Sequence, residues 1–100
     1  MCSRNRLRSP TAEEIFSSYP DWEVASAGLS PDAEVLLDSE LVEWAELIFV
    51  MEKVHRTRLT RQFSRYLKDK RVVCLDIPDE FDYMQPELVE LLKVKIKPFL

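Results

Sequence analysis

Residues 47–51 read Leu-Ile-Phe-Val-Met, and residues 72–77 read Val-Val-Cys-Leu-Asp-Ile. Neither run alternates polar with apolar along its length, so each is expected to be a strand buried on both faces. Between them, Lys53 to Lys68 carries a helical period, with Leu59, Phe63, Tyr66 and Leu67 on one side and Arg58, Arg61, Arg65 and Lys68 on the other. A strand, a helix and a strand in that order predict a parallel β-α-β unit. With it comes an α/β fold in which helices flank a small parallel sheet, three layers in all. Ligands of such sheets bind at the carboxyl ends of the strands.

Working outward, Ser9-Pro10 opens a helix expected to run to about Tyr19. Serine can cap, proline suits the first helical position, and Glu13 and Glu14 favour the positive end. Ala12, Ile15, Phe16 and Tyr19 would face inward. Trp22, Val24 and Ser26 alternate with Glu23 and Ala25, the pattern of a strand ending at Gly28. Pro31 to about Glu46 is expected to be helical, with Val35, Leu36, Leu41, Val42 and Ala45 as its apolar face. After a loop from Pro78 to Gln85, Pro86 opens a last helix through Leu88, Leu91, Leu92 and Ile96, stopped by Pro98. No linker or repeat divides residues 1–100, which are expected to form a single domain.

Composition excludes several kinds of chemistry. With 46% apolar residues in 100, the chain can bury a modest core, and disorder is not the expectation. The single glycine, Gly28, rules out glycine-rich nucleotide loops, which need glycine where backbone approaches phosphate. His55 is the one histidine, so an H-E-x-x-H zinc site is excluded, and Cys2 and Cys74 cannot build a four-cysteine metal site or a secreted disulfide framework. No metal and no cofactor are expected. The longest apolar run is five residues, far short of the about 18 a membrane span needs, and the arginine-rich start lacks a signal-peptide core. A cytoplasmic protein without membrane attachment is the expectation.

The net charge of −4 is unevenly spread. No base occurs between Ser9 and Glu52, whereas Lys53, Arg56, Arg58, Arg61, Arg65, Lys68, Lys70 and Arg71 face a single acid, Asp69, and Arg4, Arg6 and Arg8 stand at the start. The second basic segment reads either as a solvated helix face or as the docking face for an anionic partner, a nucleic acid or an acidic protein. Its long side chains can also cover apolar surface.

The chemistry concentrates in the first ten residues, Met-Cys-Ser-Arg-Asn-Arg-Leu-Arg-Ser-Pro. Between Cys2 and Arg8, a loop of five residues, Ser3, Arg4, Asn5, Arg6 and Leu7, leads directly into a helix. Such a loop can curl its N–H groups around a phosphate-sized anion, and the helix adds its positive end. Cys2 would lie beneath that anion with its thiolate favoured, as thiols beside cations and helix N-termini have pKa values lowered from about 8.5. Arg8 would offer a planar two-pronged donor to the phosphoryl oxygens, and Ser9 would donate to the sulfur or cap the helix.

This stretch resembles the low-molecular-weight protein tyrosine phosphatase family, whose signature is C-x5-R-[ST], commonly continued as S-P-x-A-E. Here the continuation is Ser9-Pro10-Thr11-Ala12-Glu13. Ser26-Ala27-Gly28 is similar to the family's S-A-G, Leu47 to Glu52 to its strand ending in M-D, and Ile77-Pro78-Asp79-Glu80-Phe81 to its V-P-D-P-Y. The resemblance implies a phosphatase-like α/β domain and a cysteine-dependent phosphomonoester hydrolase acting on phosphotyrosine-like substrates. Cys2 would form a phosphocysteine, Arg8 would clamp the phosphoryl group, Asn5 would shape the loop, and Asp79 would be the general acid. Phe81 and Tyr83, on the Asp79 loop, would contact an aromatic substrate.

Departures from the family pattern shape further expectations. Arg4 stands where the family has glycine, Leu7 replaces a second loop cysteine, and Glu80 replaces the proline after the general acid, which leaves Asp76 and Asp82 as rivals to Asp79. The family carries a buried strand before the nucleophile and here only Met1 precedes Cys2, so a truncated chain or a start at an internal methionine is expected, the alternatives being a rearranged sheet or a strand lent by another molecule. Cys74 is expected in the core, and His55 on a helix surface or in packing. The alternative function is a non-catalytic phosphate-binding module whose basic segment engages nucleic acid or an acidic protein.

Overall fold

The computed structural model describes residues 7–20 and 22–99. Its elements are α1 (Arg8–Phe16), α2 (Ser39–Trp44), β1 (Leu47–Val50), α3 (Lys53–Phe63), β2 (Arg71–Cys74) and α4 (Pro86–Ile96), with single 3-10 turns at Ser64–Tyr66 and Lys97–Phe99. β1 and β2 pair in parallel, Leu47 opposite Arg71 and Val50 opposite Cys74. The bonding continues past both strands: Leu75 N–H donates to the Val50 carbonyl at 2.8 Å and Ile77 N–H to the Met51 carbonyl at 2.7 Å.

The pleat sends alternate side chains to opposite faces, and each face has its own core. Ile48 and Val50 join Val72 and Cys74 in packing against Val42 of α2 and Leu59 of α3. Phe49 and Met51 join Val73, Leu75 and Ile77 against Phe16 of α1 and Leu88, Leu92 and Ile96 of α4. Helices therefore cover the sheet on both sides, and the expected three-layer α/β arrangement is what forms.

α3 begins with a reciprocal cap in which the Glu52 side chain accepts the His55 backbone N–H and the His55 ring accepts the Glu52 backbone N–H at 3.1 Å. α4 begins at Pro86, whose missing N–H costs nothing in the first turn. Near its other end, Lys95 Nζ donates to the Leu75 carbonyl at 2.7 Å, tying the helix to the end of the sheet.

Several element boundaries differ from expectation. α1 starts at Arg8 with Leu7 as its cap, so Ser9 is not the cap residue but lies buried inside the first turn. It ends at Phe16, short of Tyr19, because the hydroxyls of Ser17 and Ser18 bond back to the carbonyls of Glu13 and Ile15 and Pro20 disfavours helix at the residue before it. Residues 22–26 keep the expected alternation of half-buried and exposed side chains, but residues 22–27 form no strand among the described residues. The Ser26 N–H donates to the Glu13 carboxylate at 2.7 Å, and pairing is confined to a single bridge between Gly28 and Leu36.

The helix expected over residues 31–46 is only Ser39–Trp44. Asp38 caps it, accepting the Leu41 N–H at 2.9 Å, while Val35 and Leu36 belong to the bridge and lie exposed. β2 stops at Cys74 because Asp76 takes a left-handed φ of 53°, which turns the chain before Ile77 and aims the following loop.

Candidate functional site

The ends of β1 and β2 converge on the first residue of α1. Arg8 is 4% exposed, far more buried than an arginine is without a partner. Its Nη1 donates to Glu52 Oε2 at 2.7 Å and to the Ile77 carbonyl at 2.7 Å. Its Nε lies 3.7 Å from Asp79 Oδ1, an ion-pair distance too long for a hydrogen bond. The guanidinium thus meets three groups: the carboxylate just after β1, a carbonyl just beyond β2, and the Asp79 loop.

A buried guanidinium needs a counter-charge, and Glu52 supplies it from the N-terminus of α3, where the helix favours a carboxylate. His55 lies beneath, 1% exposed, with Nε2 3.7 Å from Glu52 Oε2. Because its Nδ1 accepts the Glu52 backbone N–H, the proton of the neutral ring sits on Nε2. Burial first, and then the positive charge of Arg8, lower its pKa from 6.5 to about 4, with Glu52 opposing. At neutral pH His55 is an uncharged supporting group. It is a core residue, as one of its two expected placements had it.

The loop after Ile77 is fastened at both ends to α1. At the near end, the Ile77 carbonyl holds Arg8. At the far end, Met84 N–H donates to Thr11 Oγ1 at 3.0 Å, and that hydroxyl donates onward to the Leu7 carbonyl at 2.6 Å. Of the three acids offered by sequence, Asp79 is the one brought to Arg8. Asp76 instead accepts from the Cys74 thiol at 3.4 Å, and the Asp82 backbone N–H donates to Gln85 Oε1 at 2.9 Å. Phe81 is half-buried against the core under α1 and α4, while Tyr83 is 49% exposed.

Leu7, Arg8 and Ser9 are the described members of the expected phosphate loop; Cys2, Ser3, Arg4, Asn5 and Arg6 lie outside the described residues. Sequence reasoning missed Glu52 and His55 as partners of Arg8. Their signal is an acid and a histidine three positions apart at a strand-to-helix junction, the spacing of a capping box. Thr11 carries no comparable signal, since its partner is 73 positions away.

The chain superposes on Vibrio vulnificus Wzb, solved in complex with benzylphosphonate, with a TM-score of 0.78 over 98% of this chain and 92% of that one, at 24% sequence identity. The fold is that of the low-molecular-weight tyrosine phosphatases. No protein-family model matches the sequence, and neither does any curated protein. Within this phosphatase fold, Arg8, Glu52 and Asp79 stand at the carboxyl ends of the parallel strands, the edge at which α/β sheets place their ligands. Among the described residues no group of three metal-binding side chains is assembled, and no helix is long and apolar enough to cross a membrane.

Proposed function

We propose that the chain is a cysteine-dependent phosphomonoester hydrolase acting on phosphotyrosine-like substrates. The observation that carries this reading is Arg8, buried at the start of α1 with the Asp79 carboxylate 3.7 Å from its Nε. Both hydrogens of Nη1 are engaged, which leaves the Nε and Nη2 edge as the one that would meet an incoming phosphoryl group. In this mechanism the Cys2 thiolate attacks phosphorus as the phosphorus–oxygen ester bond breaks, and Asp79 gives its proton to the departing oxygen. Asp79 then takes a proton from water, the resulting nucleophile breaks the phosphorus–sulfur bond, and inorganic phosphate leaves with the thiolate restored. Ser3, Arg4, Asn5, Arg6, Leu7 and Ser9 complete the phosphate-binding loop, and Phe81 and Tyr83 border the aromatic leaving group. A reducing compartment such as the cytoplasm suits the thiolate, and no cofactor is required.

Hydrolysis of p-nitrophenyl phosphate tests this reading. Turnover is expected to vanish in Cys2→Ser and to fall about 10²- to 10⁴-fold in Asp79→Asn. Absence of turnover, together with salt-sensitive polyanion binding that survives Cys2→Ser, would favour the anion-binding module instead. Against that module stands the placement of the basic segment: Arg56 donates to the Val72 carbonyl, Arg58 to the Leu29 carbonyl and Lys70 to the Glu43 carbonyl, so part of its charge terminates backbone.

A further inference from the structure

We infer that Lys95, in the last turn of α4, is a positioning residue for Asp79: its ammonium holds the turn at Asp76 from which the Asp79 loop departs. The inference rests on the phosphatase reading and adds to it a residue remote from the reacting atoms. In a parallel pair the rungs are evenly spaced, and each residue of one strand bonds the two residues that flank its partner. Val50 stands opposite Cys74, which puts Met51 opposite Leu75. The Leu75 N–H donates to the Val50 carbonyl, so the Leu75 carbonyl would take the Glu52 N–H. That N–H goes instead to His55 Nδ1, at 3.1 Å, because it serves the cap of α3. Leu75 is 4% exposed, and a buried carbonyl needs a donor. Lys95 Nζ provides it at 2.7 Å.

The same Nζ lies 3.5 Å from the Asp76 carbonyl, so one cation meets the carbonyls on both sides of the residue whose φ of 53° turns the chain. Only the two backbone dihedrals of Asp76 separate those carbonyls, and holding both toward one charged donor fixes the pair. A residue other than glycine gives up a left-handed conformation readily once nothing holds it there. Without the ammonium, Asp76 would relax and carry Ile77 and the start of the loop with it. Arg8 would keep Glu52 as its partner, at 2.7 Å, so the grip on an anion would survive while Asp79 moved. Positioning errors near 1 Å cost on the order of 10²-fold in rate.

The test compares wild type, Lys95→Met, Asp76→Gly and the double variant on p-nitrophenyl phosphate and on phenyl phosphate, whose poorer leaving group depends more on the acid. Methionine keeps most of the apolar stem and removes the donor. Lys95→Met is expected to lower kcat/KM for phenyl phosphate by about tenfold or more and for p-nitrophenyl phosphate by less than about threefold, with inhibition by inorganic phosphate within about twofold of wild type. Lys95→Arg should restore the wild-type ratio between the two substrates. Glycine at position 76 takes a positive φ without steric cost, so the phenyl phosphate loss from Lys95→Met should shrink to less than about threefold beside Asp76→Gly. A general loss of folded protein would lower both substrates alike. An unaltered substrate ratio in Lys95→Met, or a loss of equal size in both backgrounds, would therefore overturn the inference. If wild type hydrolyses neither ester the phosphatase reading fails by itself, and amide hydrogen exchange then decides the role of Lys95: faster exchange confined to residues 76–85 in Lys95→Met supports it, and exchange unchanged there or raised evenly along the chain overturns it. If Lys95→Met does not fold, Lys95→Gln, which removes the charge and shortens the reach, carries the same comparison.

Discussion

The Thr11 hydroxyl accepts the backbone N–H of Met84, joining the first turn of α1 to the far end of the Asp79 loop across 73 positions of sequence. Thr11 is fully buried and Met84 has a left-handed φ of 57°, a backbone state that a non-glycine residue holds only when its surroundings impose it. Thr11→Val keeps the volume and removes the hydroxyl. It is expected to lower unfolding free energy by roughly 0.5–1.5 kcal/mol, as the part-buried bond from the Met84 N–H is lost. Thr11→Ser should retain most of it. Denaturant titration measures the first effect. Loosening of Asp79 should appear as a lower kcat on p-nitrophenyl phosphate in Thr11→Val alone.

His55 gives the fold a definite response to acid. Its pKa is lowered from 6.5 to about 4 by burial and by Arg8, so between those values the unfolded chain binds a proton that the folded one refuses. Stability from this group is complete above about pH 6.5 and is lost as pH falls toward 4, by roughly 2–3 kcal/mol. Unfolding curves at pH 7, 6, 5 and 4 should show that decline in wild type. In His55→Phe the slope over the same interval should flatten, and an unchanged slope would place the acid sensitivity elsewhere.

Among the three loop acids, the contact with Arg8 singles out Asp79. Asp79→Asn should reduce hydrolysis of aryl phosphates, and more steeply for poor leaving groups than for good ones, since the better leaving group needs less proton donation. Asp76→Asn and Asp82→Asn should stay within about threefold of wild type in kcat. A larger loss in either of these than in Asp79→Asn would transfer the role.

The core on the α3 side predicts a different kind of loss. Leu59 is fully buried between α3 and the sheet, so Leu59→Ala should destabilise by about 2–5 kcal/mol through lost burial and the cavity left behind. Thermal denaturation would show it, with KM little changed in whatever fraction remains folded.

The β1-α3-β2 unit was legible because strands buried on both faces need unbroken apolar runs and the helix between them needs a stripe. Those constraints are local, so a single chain displays them. The stretch from Pro31 to Glu46 misled for the same reason: Val35 and Leu36 have helical spacing, yet the backbone there bonds to Gly28 instead. The alternation from Trp22 to Ser26 was real, but the Glu13 carboxylate takes an N–H that a strand ladder would use. At the site, the approach of Asp79 to Arg8 followed from a motif resemblance. The choice of Asp79 over Asp76 depended on the left-handed turn at Asp76, which no pattern announces. Glu52 reaches Arg8 across 44 positions, and only the closing of the sheet brings them together.

Of the two acceptors that steady Arg8, one belongs to a side chain and the other to the main chain of Ile77. Drift through time should therefore treat positions 52 and 77 differently. Any apolar residue that fills the same space can replace isoleucine and still present its carbonyl. At position 52, most replacements would delete the acceptor itself. Among descendants of this chain, variety at 77 beside near-constancy at 52 would be the trace that this asymmetry leaves.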